Sequence, residues 1–235
     1  MARPKDENYD GKKETILKAA ARVFAEKGFL RTNIIDIGEA SGASKSRMYH
    51  YFESKEALLA ELLVSNVETL HAQASAAAAA VEPGAPRLRA LVDAHVRQYM
   101  ESFAEHKLLL AEPSNLRPDD RARLVAHEDR LVELMTSVLR EVAPARLARA
   151  ADARVHAMLV YGMINWTFTW YKPGGPVSPA ALADRIFGMA MHGLAGEVAV
   201  AGATAAAQRG TARGTGSARR PASAAGPGAR PRGRT

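Results

Sequence analysis

The chain has 235 residues, 47% of them hydrophobic, and a formal net charge of +7 at pH 7. It has no cysteine, which excludes disulfides and thiolate metal sites and fits a reducing compartment. Seven of its 32 basic residues are arginines within 201–235, where there is no acid, and the remaining 25 balance the 25 acidic residues. The basic balance is therefore a property of the tail and does not by itself mark the rest of the chain as binding DNA. The opening MARPKDENYDGKKE lacks the apolar run of a secretory signal, and no apolar stretch reaches the roughly 18 residues of a membrane span. A cytoplasmic protein with no membrane partner is expected.

In chain order the pattern is helical. Residues 12–29 place Ile16, Ala20, Val23 and Phe24 on one stripe, with Gly28 as a stop. A second helix is expected to open at a capping Thr32 and end at Gly42, and a short third one spans 44–52. Ser54 is the expected N-cap of a long fourth helix. VEPGAPR, at 81–87, reads as a linker. Further helices are predicted over 87–105, 106–112, 118–143, 145–172 and 178–198. No segment alternates with period two over a strand length. The predicted fold is all-α: a helix-turn-helix unit with a short arm over 1–54, a larger helical effector-binding and dimerisation domain over 55–199, and an Arg-rich tail over 200–235. The tail has almost no large apolar residue and is expected to be disordered, as a solvated appendage or as a nonspecific anchor on DNA phosphates.

Residues 32–52 carry the chemistry. A helix, a tight turn containing Gly42 and a short helix of mixed polar character make a helix-turn-helix. Ile34, Ile37 and Ala40 are expected to face inward, Gly38 to allow close approach, and Ser44 to cap the second helix of the pair. Met48 and Phe52 then fall inside, so Lys45, Ser46, Arg47, Tyr49 and His50 project outward. Donors and cations on such a face suit phosphates and base edges in a major groove.

Residues 14–63, with AAARVFAEKGF, EASGAS, YHYF and SKEAL in sequence, resemble the N-terminal domain of the TetR family of bacterial transcriptional repressors. The resemblance implies a homodimer on palindromic operator DNA. It implies that Thr32 and Asn33 meet a phosphate at the start of the second helix, and that Tyr49, His50 and Lys55 touch the backbone. Ser44, Lys45, Ser46 and Arg47 would meet base edges, with Arg47 the candidate for reading guanine. Two departures stand out: Gly38 replaces the family's usual Ala, and Ser46-Arg47 its usual Gly-Thr.

Further along, NWTFTWYKPGGPVSP…HGL resembles the C-terminal domain of regulators of that family that respond to acyl-CoA thioesters. Helical spacing puts Met163, Trp166 and Trp170 on one face, which fits a core or a dimer interface. The resemblance implies an apolar tunnel lined by Tyr99, Phe103, Met158, Trp166 and Trp170. Arg87, Arg89, Arg97, Lys107 and Lys172 are candidates for the CoA phosphates. There is no phosphate-cradling glycine loop, GxSxG or HExxH, and the seven histidines are scattered without ligand spacing. No enzyme, cofactor or metal site is expected. The function predicted is a repressor released by an acyl-CoA. The alternatives are a repressor sensing a free lipophilic compound and a DNA-binding protein without an effector.

Overall fold

A computed structural model of the chain describes residues 9–172 and 174–193, with side chains from residue 11 onward. Those residues form nine α-helices and two 3-10 turns, with no strand among them. The helices are α1 (Tyr9–Lys27), α2 (Ile34–Ser41), α3 (Lys45–Tyr51), α4 (Lys55–Ala79) and α5 (Ala85–Glu101). They continue with α6 (Phe103–Ala111), α7 (Pro118–Val142), α8 (Ala150–Asn165) and α9 (179–193). The 3-10 turns are Pro113–Asn115 and Trp166–Thr169. The Arg-rich tail and most of the N-terminal arm lie outside the described residues.

The N-terminal helices close around apolar side chains at helical spacing. Ile16, Ala20 and Phe24 of α1, Ile37 of α2, Met48 of α3 and Phe52 are all buried, with α1 packed on α2 and α2 on α3. Ala40, expected inside, is exposed, because at 3.6 residues per turn it lies about 120° round the helix from Ile34. Gly42 ends α2 at φ 68°, a left-handed conformation that favours glycine. Ser44 and Ser54 cap α3 and α4, accepting from the Arg47 N–H at 3.3 Å and the Ala57 N–H at 3.0 Å.

Helix α4 runs on from the helix-turn-helix and packs against α5 and α7, and α7 packs against α8. Leu58, Leu59, Leu63 and Leu70 of α4, Leu88 and Leu91 of α5, and Met135 and Leu139 of α7 are sealed from solvent. Helices α1 and α6 also touch, which joins the reading unit to the larger bundle.

The helix predicted over 145–172 is shorter in the structure. It begins at Ala150, ends at Asn165, and tightens into the 3-10 turn of Trp166–Thr169. Thr167 and Thr169 accompany the change at its C-terminal end. Their hydroxyls donate back to the Ile164 and Trp166 carbonyls at 2.7 and 2.8 Å, competing with the regular ladder.

Candidate nucleic-acid interface and effector cavity

Helix α3 presents Lys45, Ser46, Arg47, Tyr49 and His50 to solvent while Met48 anchors it beneath. Among the described residues, no hydrogen bond or ion pair engages the Lys45 or Arg47 side chain. The face can therefore offer a guanidinium and an ammonium to an anionic groove without first breaking an internal contact.

The start of α2 differs from expectation. Asn33, not Thr32, is the N-cap. Its Oδ1 accepts from the Ile35 and Asp36 N–H groups at 2.8 and 2.9 Å, and Asp36 accepts from the Asn33 N–H at 2.8 Å. This is a reciprocal capping box. That N–H bond, first among the causes, holds the Asp36 carboxyl below its ordinary pKa. Thr32 is 3% exposed, and its hydroxyl donates to the Gly28 carbonyl at 2.9 Å. A buried hydroxyl whose proton is already placed does not stand ready for a phosphate, and the cap occupies two of the amides that a phosphate would use. Lys55 is likewise engaged. Its Nζ donates to the Phe29 and Thr32 carbonyls at 2.9 Å each and lies 4.2 Å over the Phe29 ring. Two of its three N–H bonds thus brace the α1–α2 turn.

Gly38 sits at a close approach. A Cβ there would lie 2.9 Å from the Ala43 carbonyl oxygen and 3.3 Å from Met48 Cγ. The Gly38 carbonyl in turn accepts the Ala43 N–H at 2.8 Å, which pins the turn between α2 and α3.

A cavity of about 230 Å³ lies among α4, α5, α6, α7 and α8. Tyr99 and Met158, both expected there, line it, together with Leu109, Val125, Leu131, Val132 and Asn165. Phe103, Trp166 and Trp170 are not among the lining residues. Phe103 is half-buried, and Trp166 and Trp170 are 65% and 52% exposed, because the 3-10 turn rotates the tryptophans away from the bundle. Sequence reasoning missed Tyr161, Glu128, Asp129, Arg154 and Asn165. The one available signal was Asn165, a polar residue closing the apolar run MLVYGMIN.

Buried polarity gathers around this cavity. His95 has no solvent exposure, and its Nδ1–H donates to the Leu91 carbonyl at 2.7 Å. Its Nε2 then accepts from the Tyr161 hydroxyl at 3.0 Å, which also lies 3.0 Å from the Leu131 carbonyl, so one phenolic proton serves two acceptors. His106 stacks on Tyr99 at 3.6 Å, and both of its ring nitrogens are buried without a well-formed hydrogen bond. Burial pushes both imidazoles down to about 4, and the backbone at Leu91 and at Asn165 offsets only part of that. Both are therefore neutral at pH 7. Burial also pushes the Tyr99 phenol up, and the Glu128 carboxyl rises for the same reason with Asp129 beside it.

The cationic candidates are spread apart. Arg87 pairs with Glu141 at 2.7 Å and donates to the Ala78 carbonyl at 3.0 Å, and Arg89 pairs with Asp93 at 3.1 Å. Lys107 reaches the Ala25 carbonyl at 3.3 Å, while Arg97 and Lys172 are exposed. The cation beside the cavity is Arg154, held by Asp129 at 2.7 Å.

Residues 16–62 match the family model of bacterial regulatory proteins of the tetR family, and residues 81–194 that of a tetracyclin repressor-like C-terminal domain. A crystallised TetR-family transcriptional regulator from Bordetella parapertussis 12822 is 36% identical, with a TM-score of 0.72 over 78% of this chain and 95% of that one. The HTH-type transcriptional repressor KstR2 of Rhodococcus jostii (strain RHA1) is 25% identical over 187 residues, 79% of this chain and 92% of the relative. AibR, crystallised with isovaleryl coenzyme A and operator DNA, is 25% identical, with a TM-score of 0.67 over 76% of this chain and 97% of that one. The chain therefore belongs to the TetR family of transcriptional regulators, which are DNA-binding regulators rather than enzymes.

Proposed function

We propose that the protein is a repressor that holds a palindromic operator as a homodimer and releases it when a short acyl-CoA enters the cavity among α4–α8. The observation that carries this reading is the set of contacts running from the cavity wall to the reading unit. Helix α7 lines the cavity with Val125, Glu128, Leu131 and Val132. Nearer its N-terminus, Arg117 pairs with Glu53 in the α3–α4 turn at 2.7 Å, and Arg123 lies 3.7 Å from Glu61 of α4. Glu61 also holds Lys13 of α1 at 2.7 Å. A ligand that displaces α7 therefore pulls on both helices that carry the reading head.

The acyl-CoA assignment draws support from the similarity to AibR, which was crystallised with isovaleryl coenzyme A and operator DNA. The energetics are consistent with it. Moving a two-state equilibrium from 1:99 to 99:1 needs about 5.5 kcal/mol of differential binding. At about 0.8 kcal/mol per buried methylene, roughly seven carbons supply that. A cavity of about 230 Å³ holds about that many groups, at roughly 30 Å³ for each water-sized group.

The dimer reading rests on an exposed apolar stripe. Val155, Leu159 and Trp166 along α8 and its 3-10 extension stand in solvent in the single chain, as does Met189 of α9. A patch of this kind on a soluble protein marks an interface. Trp166 thus moves from the tunnel expected for it to the proposed dimer face. On the DNA side, Arg47 reads a guanine, and the two α3 helices enter grooves about 34–36 Å apart, one turn of B-DNA or a multiple of it.

One observation favours a second reading, a free lipophilic effector. The cation lining the cavity is already paired with Asp129, and Glu128 adds a second carboxylate, so the lining gives CoA phosphates no unpaired positive charge. One experiment separates the two. Operator sequences are selected from a random duplex pool, and DNA release is followed by fluorescence anisotropy against acyl-CoAs of increasing length, free CoA and the matching free acids. Release by short acyl-CoAs alone is expected. Release by the free acids, or by no thioester, rules the acyl-CoA assignment out.

A further inference from the structure

The cavity lining is charged as well as apolar, and its charges do not balance. It holds two carboxylates, Glu128 and Asp129, and one cation, Arg154. Arg154 is held by Asp129 at 2.7 Å, so that pair cancels and the Glu128 charge is left over. Glu128 is half-buried on α7, and among the described residues its carboxylate makes no hydrogen bond or ion pair. Its oxygens are not among the sealed unpaired atoms of the bundle, so they stand open to the cavity. Around them the wall is hydrocarbon, from Val67, Leu109, Val125, Leu131 and Val132. Burial first, and then the charge of Asp129, raises the Glu128 pKa, as expected where nothing offsets a carboxylate. Tyr99 lines the same cavity at 3% exposure, and its hydroxyl also bonds to no described residue. After burial, the Glu128 charge is what opposes ionisation of that phenol, so the carboxylate is felt across the cavity. A pocket meant for a saturated chain alone would be better served by Leu or Met at 128, because an uncompensated charge on an apolar wall is costly.

The chemistry of Glu128 narrows the guest. An ionised carboxylate only accepts hydrogen bonds. A keto or thioester oxygen also only accepts, so it is repelled there. A hydroxyl can donate to the carboxylate but leaves its charge in place. An ammonium group donates and cancels the charge, and a charge-assisted bond is roughly twice as strong as a neutral one. We propose that the effector carries a cationic amine on the part that enters the cavity, paired with the Glu128 carboxylate. This rests on the cavity being the effector site, and it applies to a free lipophilic amine and to an amine at the end of an acyl chain alike.

The test compares guests of one shape that differ in charge. Cyclohexylamine, cyclohexanol and methylcyclohexane are read by thermal shift of the full chain without DNA. 6-Aminohexanoyl-CoA and heptanoyl-CoA are read by operator release from the full chain. Each amine is expected to act at about ten-fold lower concentration than its methyl counterpart, the factor that about 1.4 kcal/mol gives. Cyclohexanol should stay close to methylcyclohexane. In Glu128→Gln, which keeps the shape and removes the charge, the amine-to-methyl ratio is expected to fall toward one. The ratio is taken within each protein, so any change in the variant's own stability or operator affinity drops out of it. If cyclohexylamine is preferred while no thioester releases DNA, the acyl-CoA reading fails and the amine proposal stands. If heptanoyl-CoA releases DNA at least as well as 6-aminohexanoyl-CoA, and cyclohexylamine does no better than the two neutral fragments, the acyl-CoA reading stands and the amine proposal is overturned. An amine preference that survives in Glu128→Gln also overturns it, because the cation then sits elsewhere.

Discussion

The reading unit and the effector bundle differ in how completely their polar side chains are paired. Up to Ser54, the buried Thr32 donates to a carbonyl, and Asn33, Asp36, Ser44 and Ser54 bond backbone N–H groups. Among the described residues beyond 65, six buried side-chain atoms have no well-formed hydrogen bond: Asn66 Nδ2, Gln98 Oε1, both His106 nitrogens, Thr136 Oγ1 and Asn165 Oδ1. A fully satisfied polar network fixes one geometry, and a partly satisfied one lowers the cost of rearranging. The contrast fits a head that must keep its shape on DNA joined to a bundle that must change shape around a guest.

Acid should break the bundle first, with the largest effect expected here. His95 and His106 both lie in the effector bundle, and burial holds each at about 4, whereas an unfolded histidine titrates near 6.5. The unfolded chain therefore binds more protons between those values, so stability rises with pH across that window. It is complete above about 6.5 and is lost as pH falls toward 4. From pH 7 to pH 5 the two imidazoles together should remove about 4 kcal/mol, since each proton bound only by the unfolded chain costs about 1.4 kcal/mol for every pH unit crossed. Urea midpoints at pH 7 and 5 measure this, and His106→Gln should roughly halve the difference. A flat profile would mean that the imidazoles have partners or water within reach.

A smaller effect tests how tightly the head is closed. Gly38→Ala regains about 1 kcal/mol of helix propensity. Against that, the new Cβ meets the Ala43 carbonyl oxygen at 2.9 Å, a backbone atom pinned by its own turn. Such overpacking costs about 1–3 kcal/mol, so net destabilisation of about 1 kcal/mol is expected. It should come with weaker operator binding, because α3 is pushed from its seat. A stabilised variant with unchanged affinity would show that the turn has slack.

The same contrast explains what the sequence made legible. The head is written in local signals: Gly42 at the left-handed turn, Ser44 and Ser54 at caps, and Met48 and Phe52 inside. Each depends on neighbours within about one helical turn. The cavity depends on which faces of five helices meet. Periodicity grouped Trp166 and Trp170 on one face, but no glycine or proline between Asn165 and Trp170 announced the end of α8. The threonine hydroxyls that tighten the chain there gave the tryptophans another direction. Tyr99 and Met158 sit on uninterrupted helices, and they do reach the cavity.

The finest distinction concerns two adjacent residues at the start of α2. Asn33→Ala removes the acceptor for two amides and the cap that Asp36 completes, so a loss of about 1 kcal/mol is expected. Asn33→Ser, which restores a capping oxygen, should recover most of it. Thr32→Val removes a buried hydroxyl that donates to the Gly28 carbonyl at 2.9 Å. It leaves that carbonyl one bond short while keeping the shape, so a loss of about 1 kcal/mol is expected there as well. The two readings of Thr32 part in DNA affinity at fixed salt. A hydroxyl that only ties the turn leaves the affinity of the folded protein unchanged in Thr32→Val, with only a lower melting temperature. If the hydroxyl positions the α2 amides on a phosphate, losing that contact should weaken binding to operator and random duplex alike, since a phosphate contact carries no sequence information. Anisotropy titrations on both duplexes, well below the melting temperature, decide between them. A parallel loss of affinity would return Thr32 to the DNA interface, and unchanged affinity with a lower melting temperature would confine it to the fold.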